Sequence, residues 1–256
     1  MIKKIIYILL FCLLFSAFYT PSYAQSACHW FLKKRQGDCP LFPKEAENLG
    51  QYNGYFIDKK AYENKEKVLY LTFDAGYENG NVEKILDTLR EEKVPAAFFL
   101  LDNIILKNTD LVIRMVDEGH LVCNHTKNHK DLSFADTGRI STDLSALENI
   151  YKEKTGREMS KYFRFPEGKY SLDALKCVSE LGYKTIFWSF AYDDWDNGRQ
   201  MGGEKAKKKI IENTHCGAVI LLHPTSKTNA EILPDLIKTW KSMGYTFGTL
   251  DELTNK

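Results

Sequence analysis

The stretch "GHLVCNHTKNHKDLS" (119–133) places two histidines, His125 and His129, four residues apart directly after a short apolar run. If a helical turn follows that run, both rings share one face. Two imidazoles so placed suit one divalent ion. The alternatives are a pair of bases or two surface histidines. Other reactive side chains also follow apolar runs. Asp74 comes after "VLYLTF" and Arg164 closes "YFR". Asp194 follows "KTIFWSF", and His223 ends "AVILL". An aspartate fixed there can take a proton from a metal-held water, although an aspartate that merely starts a turn is common. An arginine near it keeps the carboxylate ionised and oriented, unless it forms only a peripheral pair. A lone histidine such as His223 can protonate a leaving nitrogen or be a core-edge residue. Asp194 could tune it through a carboxylate–imidazole contact. Trp195 offers either a sugar platform or core volume.

What positions these residues is an alternation of runs. Strand-like segments are expected at 68–73, 96–101, 120–124, 162–165, 184–190, 218–222 and 245–250. Helical spacing falls at 81–93, 110–119, 141–156, 171–182, 203–214 and 229–244, where Pro234 suits a helix start at Leu233. About seven β-α units in strict alternation predict an α/β fold with a parallel sheet or barrel. In such a barrel the C-terminal strand ends converge on one face. The polar clusters follow those ends: Asp74 and Glu78, His125 and His129, Arg164 and Glu167, Asp193 with Asp194 and Asp196, then His223. Scattered surface residues would not share that preference.

The chain has 256 residues, 44% hydrophobic and 27% charged, which suits one sizeable domain. A net charge of +1 gives no reason to expect nucleic acid. The basic run "EKAKKKII" (204–211) reads as the solvated face of a helix. Residues 1–24 read as a signal peptide: Lys3 and Lys4, an apolar run over 5–18, then Ser22 and Ala24 as small residues before cleavage. That run is short for a membrane span of ~20 residues. Export is therefore expected, with an uncleaved anchor or a lipid on Cys28 as the lesser readings. Residues 25–67 read as an irregular extension packed on the domain of 68–256. Of the six cysteines, Cys12 leaves with the signal, Cys28 and Cys39 could pair, and Cys123 and Cys177 fall in core-like patterns.

Together these residues resemble the NodB-homology polysaccharide deacetylases, carbohydrate esterase family 4, over almost the whole mature chain. Five motifs appear in order: Thr72-Phe73-Asp74-Ala75-Gly76, His125-Thr126-Lys127-Asn128-His129, Arg164-Phe165-Pro166-Glu167-Gly168, Asp193-Asp194-Trp195 and Leu222-His223. The resemblance implies a distorted (β/α)7-type barrel that hydrolyses a sugar N-acetyl group. It implies Asp74 as base, Arg164 as its orienting partner, His223 as acid tuned by Asp194, and a divalent metal on His125 and His129. Zinc is the expected ion, with cobalt and manganese as alternatives. Pro166, Gly168, Tyr170 and Trp195 are implied near the substrate.

Two departures stand out. The family's second aspartate of the first motif, a metal ligand, is Ala75 here, so waters or Asn79 would have to compensate. The first aspartate of the fourth motif is Ala191. "TFDAGYENG", "FRFPEGKYS", "WSFAYDDWD" and "WFLKKR" (30–35) resemble the δ-lactam-biosynthetic deacetylases of spore-forming bacteria. That likeness implies a peptidoglycan strand as partner. The sugar would be N-acetylmuramic acid already stripped of its stem peptide by an amidase, and the enzyme a monomer. Lys169 and Arg199, in the loops after the fourth and fifth strands, are the expected readers of the lactyl carboxylate. An N-acetylglucosamine deacetylase and a catalytically silent glycan-binding protein are the rival readings.

Overall fold

The computed structural model describes residues 28–30, 40–41 and 43–255. The signal segment 1–24, most of "WFLKKR" and the Cys39 partner expected for Cys28 lie outside the described residues. Among those described, no helix is long and apolar enough to cross a membrane.

The strands in chain order are β1 (Cys28–His29), β2 (Gly54–Tyr55), β3 (Val68–Ala75), β4 (Ala96–Leu100) and β5 (Leu121–Asn124). They continue with β6 (Ser160–Phe163), β7 (Lys169–Tyr170), β8 (Lys184–Ile186), β9 (Ala218–Leu222) and β10 (Thr246–Phe247). The main sheet runs β10-β3-β4-β5-β6-β8-β2, with β9 also on β3, and every pairing within it is parallel. After β8 the chain turns onto β9: Ser189 N donates to Val219 O at 2.9 Å and Leu221 N to Phe190 O at 2.9 Å. The sheet is thereby curled into the expected distorted barrel.

Alternation along β3 sorts its side chains into two layers. Leu69, Leu71 and Phe73 pack outward with Ile85 and Leu89 of the helix Val82–Glu92 and with Leu236, Ile237 and Trp240 of the helix Lys227–Ser242. Tyr70 faces inward with Ala97, Phe99, Cys123 and Val219. Asp74 shares the inward parity at the open end of the barrel. Cys123 and Cys177 are buried, as their patterns predict.

Three expectations are corrected. The helix begins at Lys227, not Leu233, and carries Pro234 inside it, because Ser226 caps it by accepting from Asn229 N at 3.2 Å. The strands expected at 184–190 and 245–250 are shorter, β8 ending at Ile186 and β10 at Phe247; β10 gives way to a helix, Leu250–Thr254, opened by a Thr249–Glu252 capping box. The segment before residue 68 is not irregular throughout. It contributes a 3-10 helix (Lys44–Tyr52), the edge strand β2 on β8, and the helix Lys59–Asn64 capped by Asp58. Its apolar side chains Trp30, Leu49 and Phe56 close a second core with Phe165, Tyr170 and Phe187.

Asp58 clamps this segment to the barrel floor. Its N–H donates to Gly217 O at 2.9 Å, and its carboxylate accepts from Tyr70 at 2.7 Å. Gly217 has φ +72, and a Cβ there would lie 2.4 Å from the Asp58 carbonyl oxygen. Gly217→Ala is expected to cost about 1–3 kcal/mol. Urea unfolding reads this as a lower midpoint with an unchanged slope; an unchanged midpoint would contradict the clamp.

Candidate active site

The cavity at the C-terminal strand ends has a volume of about 740 Å³ and is lined by Asp74, His125, His129 and His223, among others. Asp74 sits at the end of β3 with one carboxylate oxygen committed. Arg164, fully buried, donates from Nη1 to Asp74 Oδ1 at 2.6 Å. Its other nitrogens are also engaged: Nε donates to Ile186 O at 2.9 Å and Nη2 to Thr72 Oγ1 at 2.9 Å. The guanidinium lies 4.1 Å from the centre of the Phe99 ring. Burial pushes the Asp74 carboxyl up, but Arg164, His125 and His223 together outweigh it and hold it below its ordinary value. Asp74 is therefore an ionised base with Oδ2 turned toward the cavity.

Asp74 Oδ2 lies 3.4 Å from His125 Nε2. His125 Nδ1–H donates to the Arg164 carbonyl at 2.9 Å, which fixes the tautomer and leaves the Nε2 lone pair unspent. Burial drives the ring's pKa down to about 4, so it is neutral. The rings of His125 and His129 are 5.0 Å apart between centroids. No helical turn brings them together, contrary to the sequence expectation. Thr126 (φ 69) and His129 (φ 60) both adopt the left-handed region, and the chain kinks back on itself. A β-branched residue rarely adopts that region. The buried Asn124 side chain holds it there: its Oδ1 accepts from Thr126 N at 3.0 Å, and its Nδ2 donates to Leu144 O at 3.1 Å. A tautomer locked on one nitrogen with a bare lone pair on the other is the arrangement of a metal-ligating imidazole. The pair thus fits a divalent ion. It does so as two ligands only, since no group of three His, Cys, Asp or Glu suited to a metal occurs among the described residues.

His223 lines the same cavity as this pair. Its Nδ1–H donates to Asp194 Oδ1 at 2.7 Å, and its backbone N–H donates to Asp194 Oδ2 at 2.8 Å. Asn229 Nδ2 adds a third donor to Asp194 at 2.6 Å, while Tyr192 donates its hydroxyl to Asn229 Oδ1. Burial works against a protonated His223. The Asp194 hydrogen bond and charge outweigh it, and the net shift is upward from the ordinary imidazole value.

A carboxylate base and an imidazole held by a carboxylate, lining one cavity, are equipped for hydrolysis. Comparison with known proteins places the chemistry. The model of the family "Polysaccharide deacetylase" matches residues 61–186. An uncharacterized 30.6 kDa protein in the fumA 3′ region of Geobacillus stearothermophilus is 40% identical over 96% of this chain and 94% of its own. The peptidoglycan-N-acetylmuramic acid deacetylase PdaA of Bacillus subtilis is 40% identical over 80% of this chain and 76% of its own. This chain belongs to the polysaccharide deacetylase family. The solved structure of B. subtilis PdaA, a family 4 carbohydrate esterase, superposes with a TM-score of 0.83 at 36% identity, covering 89% of this chain and 97% of that one. The protein is thus a hydrolase of sugar N-acetyl groups. The family match ends before His223, which lines the cavity, and Asp194, which is buried behind it.

The deacetylase treats the remaining expected residues unequally. Trp195, 59% exposed, lines the cavity, as does Ala191. Pro166, Gly168 and Tyr170 are buried and do not line it. Tyr170 packs on Phe187 at 5.0 Å, and a Cβ on Gly168 would meet Trp30 at 2.8 Å and Trp188 at 2.9 Å. These residues support the cavity wall, which corrects their expected place beside the substrate. Lys169 and Arg199 also fall outside the lining: Lys169 pairs with Glu167 at 2.7 Å and Arg199 with Asp196 at 2.8 Å. Asn79 donates to Thr225 O at 2.8 Å and is not at the lining either. Sequence reasoning missed Tyr77, Trp188 and Tyr192, which do line the cavity, and the supports Asn124 and Asn229. Tyr77 sits inside the "DAGYENG" cluster, so its place after a strand end was the available signal.

Two outcomes follow for the deacetylase. Arg164→Met strands a buried carboxylate and is expected to cost about 3–5 kcal/mol, read by chemical denaturation. A cost below about 1 kcal/mol would show that the pair is dispensable. The upward shift of His223 sets the second. The unfolded chain releases this proton near pH 6.5, the folded one at higher pH. The stabilisation is thus complete below that value and is lost as pH rises through the folded one. The unfolding free-energy difference between wild type and His223→Gln should shrink as pH rises above about 6.5; a flat difference would contradict the pairing.

Proposed function

We propose that this deacetylase acts outside the cytoplasm on peptidoglycan, removing the N-acetyl group of N-acetylmuramic acid residues whose stem peptide an amidase has already taken. The freed amine then condenses with the lactyl carboxyl group, its C–O bond breaking and one water leaving, to give the muramic δ-lactam of spore cortex. The observation that carries this reading is the likeness to the B. subtilis N-acetylmuramic acid deacetylase over four-fifths of the chain. The export signal read at residues 1–24 agrees with such a substrate.

In this reading Asp74 Oδ2 accepts a proton from the attacking water while Arg164 holds Oδ1 in place. His223 gives a proton from Nε2 to the departing sugar nitrogen, and Asp194 keeps its Nδ1–H and stabilises the charged ring. Trp195 and Tyr77, both exposed, line the cavity and offer aromatic surface to a sugar. A divalent cation, zinc first, with cobalt or manganese as alternatives, would be held by His125 and His129; when bound it would supply polarisation of the acetyl carbonyl and a more acidic water. The protein acts as a monomer.

Asp74→Asn keeps the shape but cannot take the proton, so deacetylation should fall ~10²–10⁴-fold with the melting temperature little changed. Near-wild-type turnover would remove Asp74 from its role. His125→Ala and His129→Ala should each lose bound metal by elemental analysis, because two imidazoles have little redundancy; stoichiometric metal in both would sink the assignment. For the substrate, acetate release is compared on amidase-treated peptidoglycan, untreated peptidoglycan and chitin oligomers. The first should be the substrate. Equal rates on chitin favour the N-acetylglucosamine reading, and no release from any glycan favours a silent binding protein.

A further inference from the structure

The family model begins at residue 61, yet a side chain well before it is fastened to the cavity wall. β1 pairs antiparallel with β7, Cys28 opposite Tyr170 and His29 opposite Lys169, and so delivers Trp30 to the turn that follows Arg164. Trp30 N–H donates to Gly168 O at 2.9 Å, and its indole Nε1–H donates to Trp188 O at 2.8 Å. The ring is 4% exposed and packs on Phe187 and Phe56, with centroids 4.8 and 5.1 Å away. One residue thus joins two segments that are apart in sequence, the turn 165–168 and the chain just past β8. Each of them supplies a residue to the cavity lining: Glu167 from the first, Trp188 from the second.

The turn needs such a fastening. Glu167 (φ 55) and Gly168 (φ 65) are consecutive left-handed residues, and the first is not a glycine. That conformation persists only where the surrounding structure fixes it. Space is short as well, since a Cβ on Gly168 would meet Trp30 at 2.8 Å and Trp188 at 2.9 Å. The acid–base groups have supports of their own. Arg164 holds Asp74 and is itself held by Ile186 O and Thr72, and Asp194 holds His223. None of these bonds involves Trp30. We propose that Trp30 is a positioning residue for the substrate: it holds Glu167 and Trp188 together as one wall of the cavity, so that the segment preceding the family domain sets how tightly a glycan binds while the acid–base groups stay in place. An aromatic ring beside a carboxylate gives this wall mixed apolar and hydrogen-bonding character, which suits a sugar ring with its hydroxyl groups.

The test separates binding from turnover. Trp30→Phe keeps an aromatic ring beside Phe56 and Phe187 but has no N–H for Trp188 O. Leu49→Ala is the control: it opens the same core beside Gly54, where Leu49 is fully buried. Acetate release by the full-length proteins is measured against glycan concentration, with melting temperatures alongside. The glycan is amidase-treated peptidoglycan or chitin oligomers, whichever the wild type deacetylates faster. Trp30→Phe should raise KM by about three- to tenfold, the scale of one hydrogen bond, with kcat changed by less than about twofold. Leu49→Ala should lower the melting temperature and leave KM unchanged. If Trp30→Phe does not fold, Gly168→Ala, which presses on the same contact from the turn, decides and should raise KM likewise. An unchanged KM, a fall in kcat in its place, or an equal rise of KM in Leu49→Ala overturns the proposal, and the last would make Trp30 a core residue only.

Discussion

A guanidinium with no exposure to solvent governs this structure. Arg164 lies inside the barrel with its charge answered by Asp74, and the arrangement tolerates little displacement. Through it four strands are held in register around the site. Its nitrogens reach Asp74 and Thr72 on β3 and Ile186 on β8, its plane covers Phe99 of β4, and its carbonyl fixes the ring of His125 just beyond β5. A buried ion pair of this kind is weak evidence for net stability, since apolar replacements often do as well. What it supplies is orientation. One carboxylate oxygen is held and the other is left for chemistry, while the neighbouring imidazole is locked in the tautomer that frees Nε2.

Around this pair, neutral amides do the shaping. Asn124 keeps Thr126 in a conformation that a β-branched side chain otherwise avoids, and the kink delivers His129 beside His125. Asn229 fastens the carboxylate that fastens His223. Strain and buried polarity collect at the functional end of the barrel, where surrounding structure over-determines them. The opposite end is fastened by packing and by the Asp58–Gly217 contact.

Much of this was readable in the chain. The alternation of apolar runs gave the parallel barrel, because a strand buried on both faces is written as a continuous run such as "VLYLTF". The placement of Asp74, His125, Arg164 and His223 just past such runs indicated one shared face. The rest depended on contacts with no local signature. Asn229 and Asp194 are remote in sequence and meet only because a helix returns over β9. The kink at Thr126 breaks the helical reading of the histidine spacing, since spacing alone cannot distinguish a turn from a left-handed bend. Lys169 and Arg199 looked available because a sequence does not show that Glu167 and Asp196 will take them. The edge strand β2 was hidden among glycine and asparagine, being only Gly54–Tyr55 and defined by its partner β8.

β3 is hydrogen-bonded on both edges, to β9 along one and to β4 and β10 along the other. The histidine loop that follows β5 has no such ladder, and His129 stands in it exposed and in a left-handed conformation. Local opening is governed by that difference. Amide protons beside the base exchange with solvent only when the barrel itself comes apart, whereas those of the loop exchange through a small excursion. On warming, His129 is expected to leave its place beside His125 while Asp74 is still held, so this end of the cavity disassembles from one side, below the temperature at which the fold is lost.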